Sequence, residues 1–171
     1  MKTLKRMIRH LRTSSHRIDD LLPKSSMTAI TLAIRTQEMT QTGEIIFAVE
    51  HALSLDQLKK KMTPRQRAES LFSSLRVWDT EGNNGVLIYL LIADQAFEIV
   101  ADREAARRVP KEAWSSIQSS MVTAFKAGEF ESGILDGIKA LGLEMNKVFQ
   151  GHDLAGNELP DRPTRIQPPS L

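Results

Sequence analysis

The apolar positions of this chain fall into two patterns that predict different secondary structure elements. Between about Ser26 and Gln41, and again after Thr63, apolar residues recur every three or four positions, which is typical of one buried helix face. In segments 44–50, 86–92 and 97–101 most positions are apolar, which is typical of short buried strands. The pattern therefore predicts a strand, a helix and a second strand, followed closely by a third strand.

The lengths of the connections predict how these strands pair. A strand–helix–strand unit is nearly always right-handed with parallel strands, so 44–50 and 86–92 are predicted to be parallel. The gap between 86–92 and 97–101 is too short for a crossover and predicts an antiparallel hairpin. The sequence thus indicates an α/β fold with a mixed sheet.

Two longer helices are predicted after the third strand. The first begins at Pro110 and ends near Gly128, and the second covers 130–149. Gly133 and Gly137 lie one turn apart in the second helix, where each costs about 1 kcal/mol relative to alanine. We therefore expect this helix to pack closely against a neighbour.

The two ends of the chain differ in composition from the central part. Residues 1–24 hold seven lysines and arginines and two aspartates, a net +5, so the rest of the chain carries −3 of the total +2. This lead-in is predicted to be solvated and partly frayed. Residues 151–171 lack apolar periodicity and contain four prolines, which predicts a disordered tail. The predicted domain therefore covers 25–150.

Composition narrows the possible classes of function. The absence of cysteine excludes disulfides, thiolate metal sites and a cysteine nucleophile. A formal charge of +2 does not predict specific nucleic-acid binding, although the basic lead-in suits an anionic membrane surface or a partner. Neither a signal peptide nor a transmembrane segment is recognisable, so we expect a cytoplasmic protein or one peripheral to the inner membrane.

Oxygen-bearing side chains cluster at the predicted edge where the two parallel strands begin. Because the third strand runs antiparallel, its last residue returns to this edge. Carboxylate and amide oxygens are ligands that Ca²⁺ and Mg²⁺ accept, which predicts a cation site. The candidate ligands are Glu44, Asn84 and Asp102, with Glu38 and Asp79 as further contributors and Arg103 as a candidate anion-binding residue. The alternative is structural, with turn-forming side chains and Asp102 as a helix N-cap.

The opposite edge holds Glu50, His51 and Asp94. Ligands in doubly wound sheets favour the carboxyl ends of parallel strands, and this rule would place a ligand at this edge. A single histidine without an identifiable partner favours an exposed or capping role over catalysis. The chain also lacks phosphate-loop, dinucleotide-binding, zinc-protease and nucleophile-elbow motifs, so any phosphatase chemistry would require metal-assisted attack by water.

Several short motifs resemble those of the TPM domain family, which is related to the thylakoid-lumen acid phosphatase of photosystem II repair. They span about 26–150 in order and comprise Glu38 with Thr42–Ile45, Asn84–Leu87, Ile99–Arg103 and Phe125–Ile134. The resemblance implies a three-layer α/β/α sandwich around a small, mostly parallel sheet and a divalent-cation site near the loops. It also implies weak acid phosphatase activity in some plant members, and the chain looks like a short, soluble bacterial form.

Three functions therefore remain open. The first is a TPM-like domain that binds Ca²⁺ or Mg²⁺ with little or no enzymatic activity. The second is a metal-assisted acid phosphatase acting on phosphomonoesters. The third is an interaction module whose basic N-terminal arm meets an anionic membrane or a membrane-associated relative.

Overall fold

The computed structural model describes residues 2–151 and 156–167. The remaining residues, including Pro168 and Pro169 of the predicted tail, lie outside this part of the chain. In chain order the elements are α1 (Lys2–Arg12), α2 (His16–Leu21), α3 (Lys24–Glu38), β1 (Ile45–Glu50), α4 (Leu55–Lys59), α5 (Pro64–Ser74), β2 (Val86–Leu91), β3 (Ala96–Ala101), α6 (Arg103–Arg108), α7 (Lys111–Lys126), α8 (Phe130–Val148) and β4 (Thr164–Ile166).

The four strands form one mixed sheet in the order β3-β2-β1-β4. β1 and β2 are parallel, with Ile45 opposite Val86, and α5 lies in the crossover between them. β2 and β3 are antiparallel, with Val86 opposite Ala101. Both predicted pairings are therefore confirmed, and the Thr63 capping box that begins α5 is present as well.

Helices cover both faces of the sheet and bury two separate clusters. Alternate β1 residues such as Phe47 point to one face and pack with α2, α3, α7 and α8. The intervening residues, such as Ala48, point to the other face and pack with α4 and α5. Both strands β1 and β2 are buried along their whole length. The α/β/α sandwich is thus confirmed.

Close packing of α7 against α8 explains the two glycines predicted to lie at a helix contact. A Cβ atom at Gly133 would lie 2.6 Å from the Ala124 Cβ, and one at Gly137 would lie 2.4 Å from the Met121 sulfur. Side chains at either position would force the helices apart. The glycines therefore offset their cost in helix propensity by allowing this contact.

The prediction of a frayed lead-in is wrong for residues 2–22. α1 and α2 are helical, and Ile18 and Leu22 are buried in the core together with α3 and α8. His10 is also buried, at 3% exposure. The order of α1 was not predicted because its charged composition suggested a solvated segment, whereas several of these charged residues bind the body of the protein.

The prediction of a disordered tail is likewise wrong for residues 156–167. β4 pairs in parallel with β1, placing Arg165 opposite Val49. Leu159 and Asp161 are buried on the way to this strand. A three-residue edge strand has no periodicity to detect, and its order comes from contacts with distant residues.

Among the helices that the structure describes, none combines the length and the apolar character needed to cross a membrane.

Candidate functional site

The start of β1, the start of β2 and the end of β3 meet at one edge of the sheet. The Val86 N–H donates to the Glu44 carbonyl at 2.8 Å, and the Asp102 N–H donates to the Gly85 carbonyl at 2.8 Å. Glu44, Gly85 and Asp102 therefore stand side by side at the ends of three adjacent strands, and Asn84 immediately precedes Gly85. We call this region the open edge.

Asn84 is held rigidly at the open edge but leaves one oxygen unused. Its side-chain Nδ2 donates to the Thr42 carbonyl at 2.7 Å, and its backbone N–H donates to the Thr80 hydroxyl at 3.2 Å. The residue is only 2% exposed. Its Oδ1 is buried and has no hydrogen-bond partner among the described residues.

Asp102 shows the same combination of order and incomplete hydrogen bonding. It is the N-cap of α6, where its Oδ1 accepts from the Arg103 N–H at 2.7 Å. Its Oδ2 is buried and lacks a hydrogen-bond partner within the described part of the chain. A buried polar group without a partner costs about 1–3 kcal/mol, and more if it is charged, so two such oxygens at one edge require an explanation.

Glu44 is buried at the same edge, and its carboxylate binds the C-terminal segment. Its two oxygens accept from the backbone N–H groups of Glu158 and Leu159, at 3.3 and 3.2 Å. Glu44 thus orders residues 158–159 while bringing negative charge to the open edge.

Glu38, the last residue of α3, lies in a cavity of about 660 Å³ that Glu44 and Asp161 also line. Burial raises the pKa of Glu38 to about 9, against the opposing effect of the Ile45 N–H, which donates to its Oε1 at 2.9 Å. The neighbouring carboxylates of Glu44 and Asp161 raise this pKa further. Three carboxyl groups are therefore crowded here, and Glu38 holds a proton at neutral pH.

Asp161 was missed by sequence reasoning because it lies in the predicted tail. Its carboxylate accepts from Arg35 Nε at 2.5 Å and from Asn157 Nδ2 at 2.6 Å. These partners are 126 and 4 residues away along the chain. No local pattern could have indicated the longer of these two contacts.

The other two candidate residues lie nearer the solvent. Asp79 is half-exposed and pairs with Arg76 of its own loop at 2.5 Å. Arg103 is exposed and donates through Nη2 to the Asn83 Oδ1 at 3.0 Å. Asp79 is therefore paired within its own loop, whereas the Arg103 guanidinium lies against Asn83 in the loop that precedes β2.

Within the described ranges, no three His, Cys, Asp or Glu side chains are grouped so that they could hold a metal ion. A cation at the open edge would therefore depend on the amide oxygen of Asn84, the carboxylate of Asp102 and additional oxygens from backbone or water. Such mixed oxygen coordination is compatible with Ca²⁺ and, with more water, with Mg²⁺. The two unpartnered oxygens are of the chemical type that hard cations accept, although the acidic residues alone do not form a cage.

The opposite end of β1 and β2 is closed by the protein's own side chains. Glu50 is fully buried, and its carboxylate accepts two bonds from Arg67 at 2.9 Å each and one from the Tyr89 hydroxyl at 2.6 Å. Burial and the Glu50 carboxylate raise the pKa of Tyr89, so its hydroxyl stays protonated and donates. We call this region the closed end.

Asp94 completes the closed end by fixing α1. Burial would raise the pKa of Asp94, but hydrogen bonds from His10 and Arg6 outweigh it and hold this pKa well below its usual range. The nearby His51 is half-buried, and burial lowers its pKa. The carboxyl ends of the parallel strands are thus filled by ion pairs that stabilise the fold.

Comparisons with known proteins agree with this architecture. The family model for the TPM domain matches residues 18–143. Among solved structures, the BA42 protein of the psychrophilic bacterium Bizionia argentinensis is 30% identical, with a TM-score of 0.71 over 83% of this chain and 93% of that one. No curated protein matches the chain.

Two more distant structures share the fold alone. The N-terminal domain of a protein from P. gingivalis is 16% identical, with a TM-score of 0.62 over 77% of this chain and 82% of that one. The N-terminal domain of the cg2496 protein from Corynebacterium glutamicum is 12% identical, with a TM-score of 0.53 over 77% and 78% of the two chains.

Proposed function

Because the chain belongs to the TPM domain family, we propose that it binds a divalent cation, Ca²⁺ or Mg²⁺, at the open edge of the sheet. The observation that carries this proposal is the pair of buried, unpartnered oxygens, Asn84 Oδ1 and Asp102 Oδ2. Both residues are fixed by their other hydrogen bonds. A cation between the strand ends would satisfy both oxygens without disturbing those bonds.

The surrounding charges favour a cation over an anion. Glu44 and Asp161 are buried acids near this edge, and they add to the effect of burial, which is the main cause of the raised pKa of Glu38. A positive ion nearby would relieve this repulsion. Glu44 is thus the third residue of the proposed site, whereas Glu38 is protonated at neutral pH and would add negative charge only if the cation lowered its pKa.

The composition of the site predicts weak binding. With one carboxylate and one amide as its best-placed side-chain ligands, the site resembles low-affinity oxygen sites more than high-affinity cages. We expect a dissociation constant of about 10⁻⁴–10⁻³ M for Ca²⁺. At a free Ca²⁺ concentration about 100 times that constant, binding would add about 2.7 kcal/mol to the free energy of unfolding.

Titration of Ca²⁺ into ¹⁵N-labelled protein tests the proposal. Amide shifts should saturate at residues 83–85 and 102–103, and the thermal midpoint should rise with Ca²⁺. Asp102→Asn should abolish both effects, because the amide keeps the cap but removes the charge. Asp136→Asn, a matched change at an exposed position of α8, should leave both effects intact.

Two results would contradict this function. One is a set of amide spectra that stays unchanged at about 10 mM Ca²⁺ and Mg²⁺, because this concentration exceeds the expected dissociation constant. Shifts that persist in Asp102→Asn would place the ion at another site.

A second candidate is a metal-assisted acid phosphatase, which the position of Arg103 favours. Its exposed guanidinium donates to the Oδ1 of Asn83, the residue before Asn84, and could hold phosphoryl oxygens next to the cation. A bound cation would supply an activated water molecule. Turnover of an aryl phosphate that requires the cation and falls at least about 100-fold in both Arg103→Met and Asp102→Asn would support it. Activity that survives both changes would overturn it.

A further inference from the structure

The first helix is oriented opposite to an ordinary surface helix. A surface helix normally turns its apolar stripe to the core and its charged face to solvent. In α1 several charged and polar side chains face the protein, and three large apolar side chains face solvent. This reversal is local to α1, because the neighbouring α2 buries its own isoleucine, Ile18.

The inward face of α1 is held by hydrogen bonds. Arg6 binds the Asp94 carboxylate through Nε, at 3.0 and 3.1 Å, and through Nη2 at 2.6 Å, and it also donates to the Met62 carbonyl at 2.9 Å. His10 accepts the Leu53 N–H with Nδ1 at 3.0 Å and meets Asp94 with Nε2 at 3.0 Å. These bonds fix the rotation of the helix about its axis.

The outward face of α1 consequently presents Leu4, Ile8 and Leu11, which are 63%, 43% and 66% exposed. Their i, i+4, i+7 spacing places them in one stripe. Lys5 and Arg12 are exposed and lie along one flank of that stripe. The helix thus presents an apolar ridge with a basic border, which we call the α1 ridge.

The charge of this surface indicates what covers it. A second copy of the chain placed on the α1 ridge would bring like charges together. A nucleic acid would leave the apolar side chains of the ridge without an apolar partner. An anionic lipid bilayer satisfies both parts, since it accepts the apolar side chains among its acyl chains and the cations among its headgroups. Arg12 also lines a cavity of about 290 Å³ at the end of α1, where it would meet a headgroup phosphate; Arg9 and Arg17 line the same cavity but pair with Asp94 and Asp20.

We propose that the α1 ridge is a docking surface for membranes rich in anionic phospholipid. The body of the protein stays outside the bilayer, and α1 lies parallel to the membrane surface. Since α1 is already folded and anchored by Asp94, binding requires no ordering of the helix. This proposal does not depend on a cation at the open edge.

Sedimentation of the full chain with vesicles tests the proposal. We expect binding to vesicles of phosphatidylcholine and phosphatidylglycerol in a 3:1 ratio, much weaker binding to pure phosphatidylcholine, and a decrease with added salt. Lys5→Gln/Arg12→Gln should lower the partition coefficient about fivefold for each cation removed. Leu4→Ser/Leu11→Ser should lower it about tenfold or more, because those side chains would no longer enter the bilayer.

Matched controls separate the α1 ridge from general surface effects. Leu143→Ser removes a side chain that is 55% exposed on α8, and Lys126→Gln/Lys139→Gln removes two exposed cations elsewhere. Both controls should bind like the wild type. Circular dichroism should show that every variant keeps its fold, since all of the changed side chains are exposed or lie at the surface.

Three results would overturn the proposal. One is absence of binding to anionic vesicles at low salt. Another is loss of binding in the controls to the same degree as in the ridge variants. The third is a concentration-dependent dimer, or an RNA complex, that the ridge variants abolish while vesicle binding is unchanged.

Discussion

Both ends of the central sheet carry buried polar side chains, but the two ends differ in how completely these side chains are hydrogen-bonded. At the closed end, Glu50 and Asp94 accept hydrogen bonds from arginine, tyrosine and histidine side chains. At the open edge, Asn84 and Asp102 each keep a buried oxygen that no described residue satisfies. The difference shows that burial of an acidic residue does not by itself indicate a binding site.

The general rule for parallel sheets would have placed a ligand at the carboxyl ends of the strands. In this protein α1 and α5 fill that position, and their cations neutralise the acids there. The available oxygens lie instead at the amino ends of β1 and β2, where β3 returns from the hairpin. The free hydrogen-bonding capacity therefore identifies the candidate site better than its position in the fold does.

The strongest test of the closed end is Glu50→Leu. This change leaves the Arg67 guanidinium, whose side chain is 12% exposed, without its buried partner. Loss of one member of a buried ion pair typically costs about 3–5 kcal/mol. Urea unfolding should show this loss, and Glu50→Leu/Arg67→Leu should recover part of it. A loss below about 1 kcal/mol would mean that the pair does not stabilise the closed end.

The same substitution at both ends tests the comparison directly. Asp94→Asn weakens charge-assisted bonds from Arg6 and His10 and should cost about 2–3 kcal/mol. Asp102→Asn keeps the N-cap acceptor and should cost less than about 1 kcal/mol without added cation. Chemical denaturation of both variants in the presence of a chelator measures the difference. Equal losses would remove the distinction between the two ends.

A smaller effect than that of Asp94→Asn is the pH dependence of stability caused by Glu38. Its pKa is about 9 in the folded protein against an ordinary value of 4.5, so the folded state binds more protons between these values. Stability should therefore fall as the pH rises through this window. Glu38→Gln should be roughly 1–2 kcal/mol more stable than the wild type at pH 8 and nearly equal to it at pH 4. Parallel curves for the two proteins would show that Glu38 ionises normally.

Much of the fold could be predicted from the sequence because the relevant signals are local. The lengths of the gaps around segment 86–91 distinguish a crossover from a hairpin, and the topology then brings Asn84 and Asp102 to one edge. The capping box at Thr63 depends on residues only three positions apart. Such interactions leave a pattern within a short window of sequence.

The remaining elements depend on distant partners. Arg6 meets Asp94 across 88 residues, and Arg35 meets Asp161 across 126. Each of these contacts orders a terminal segment that looks polar and irregular in the sequence. The free oxygens of the open edge were also not predictable, since whether a carboxylate has a partner depends on all neighbouring elements.

Strand β4 has a consequence for how the chain folds during synthesis. β1 lies between β2 and β4, and β4 follows it by more than 110 residues along the chain. Until residues 164–166 leave the ribosome, one side of an almost wholly apolar strand has unpaired backbone groups. An edge of this kind is a template for strand addition by another chain. The last described segment to be translated therefore covers the backbone of 48–50, and a chain released before it would expose this part of the first strand to aggregation.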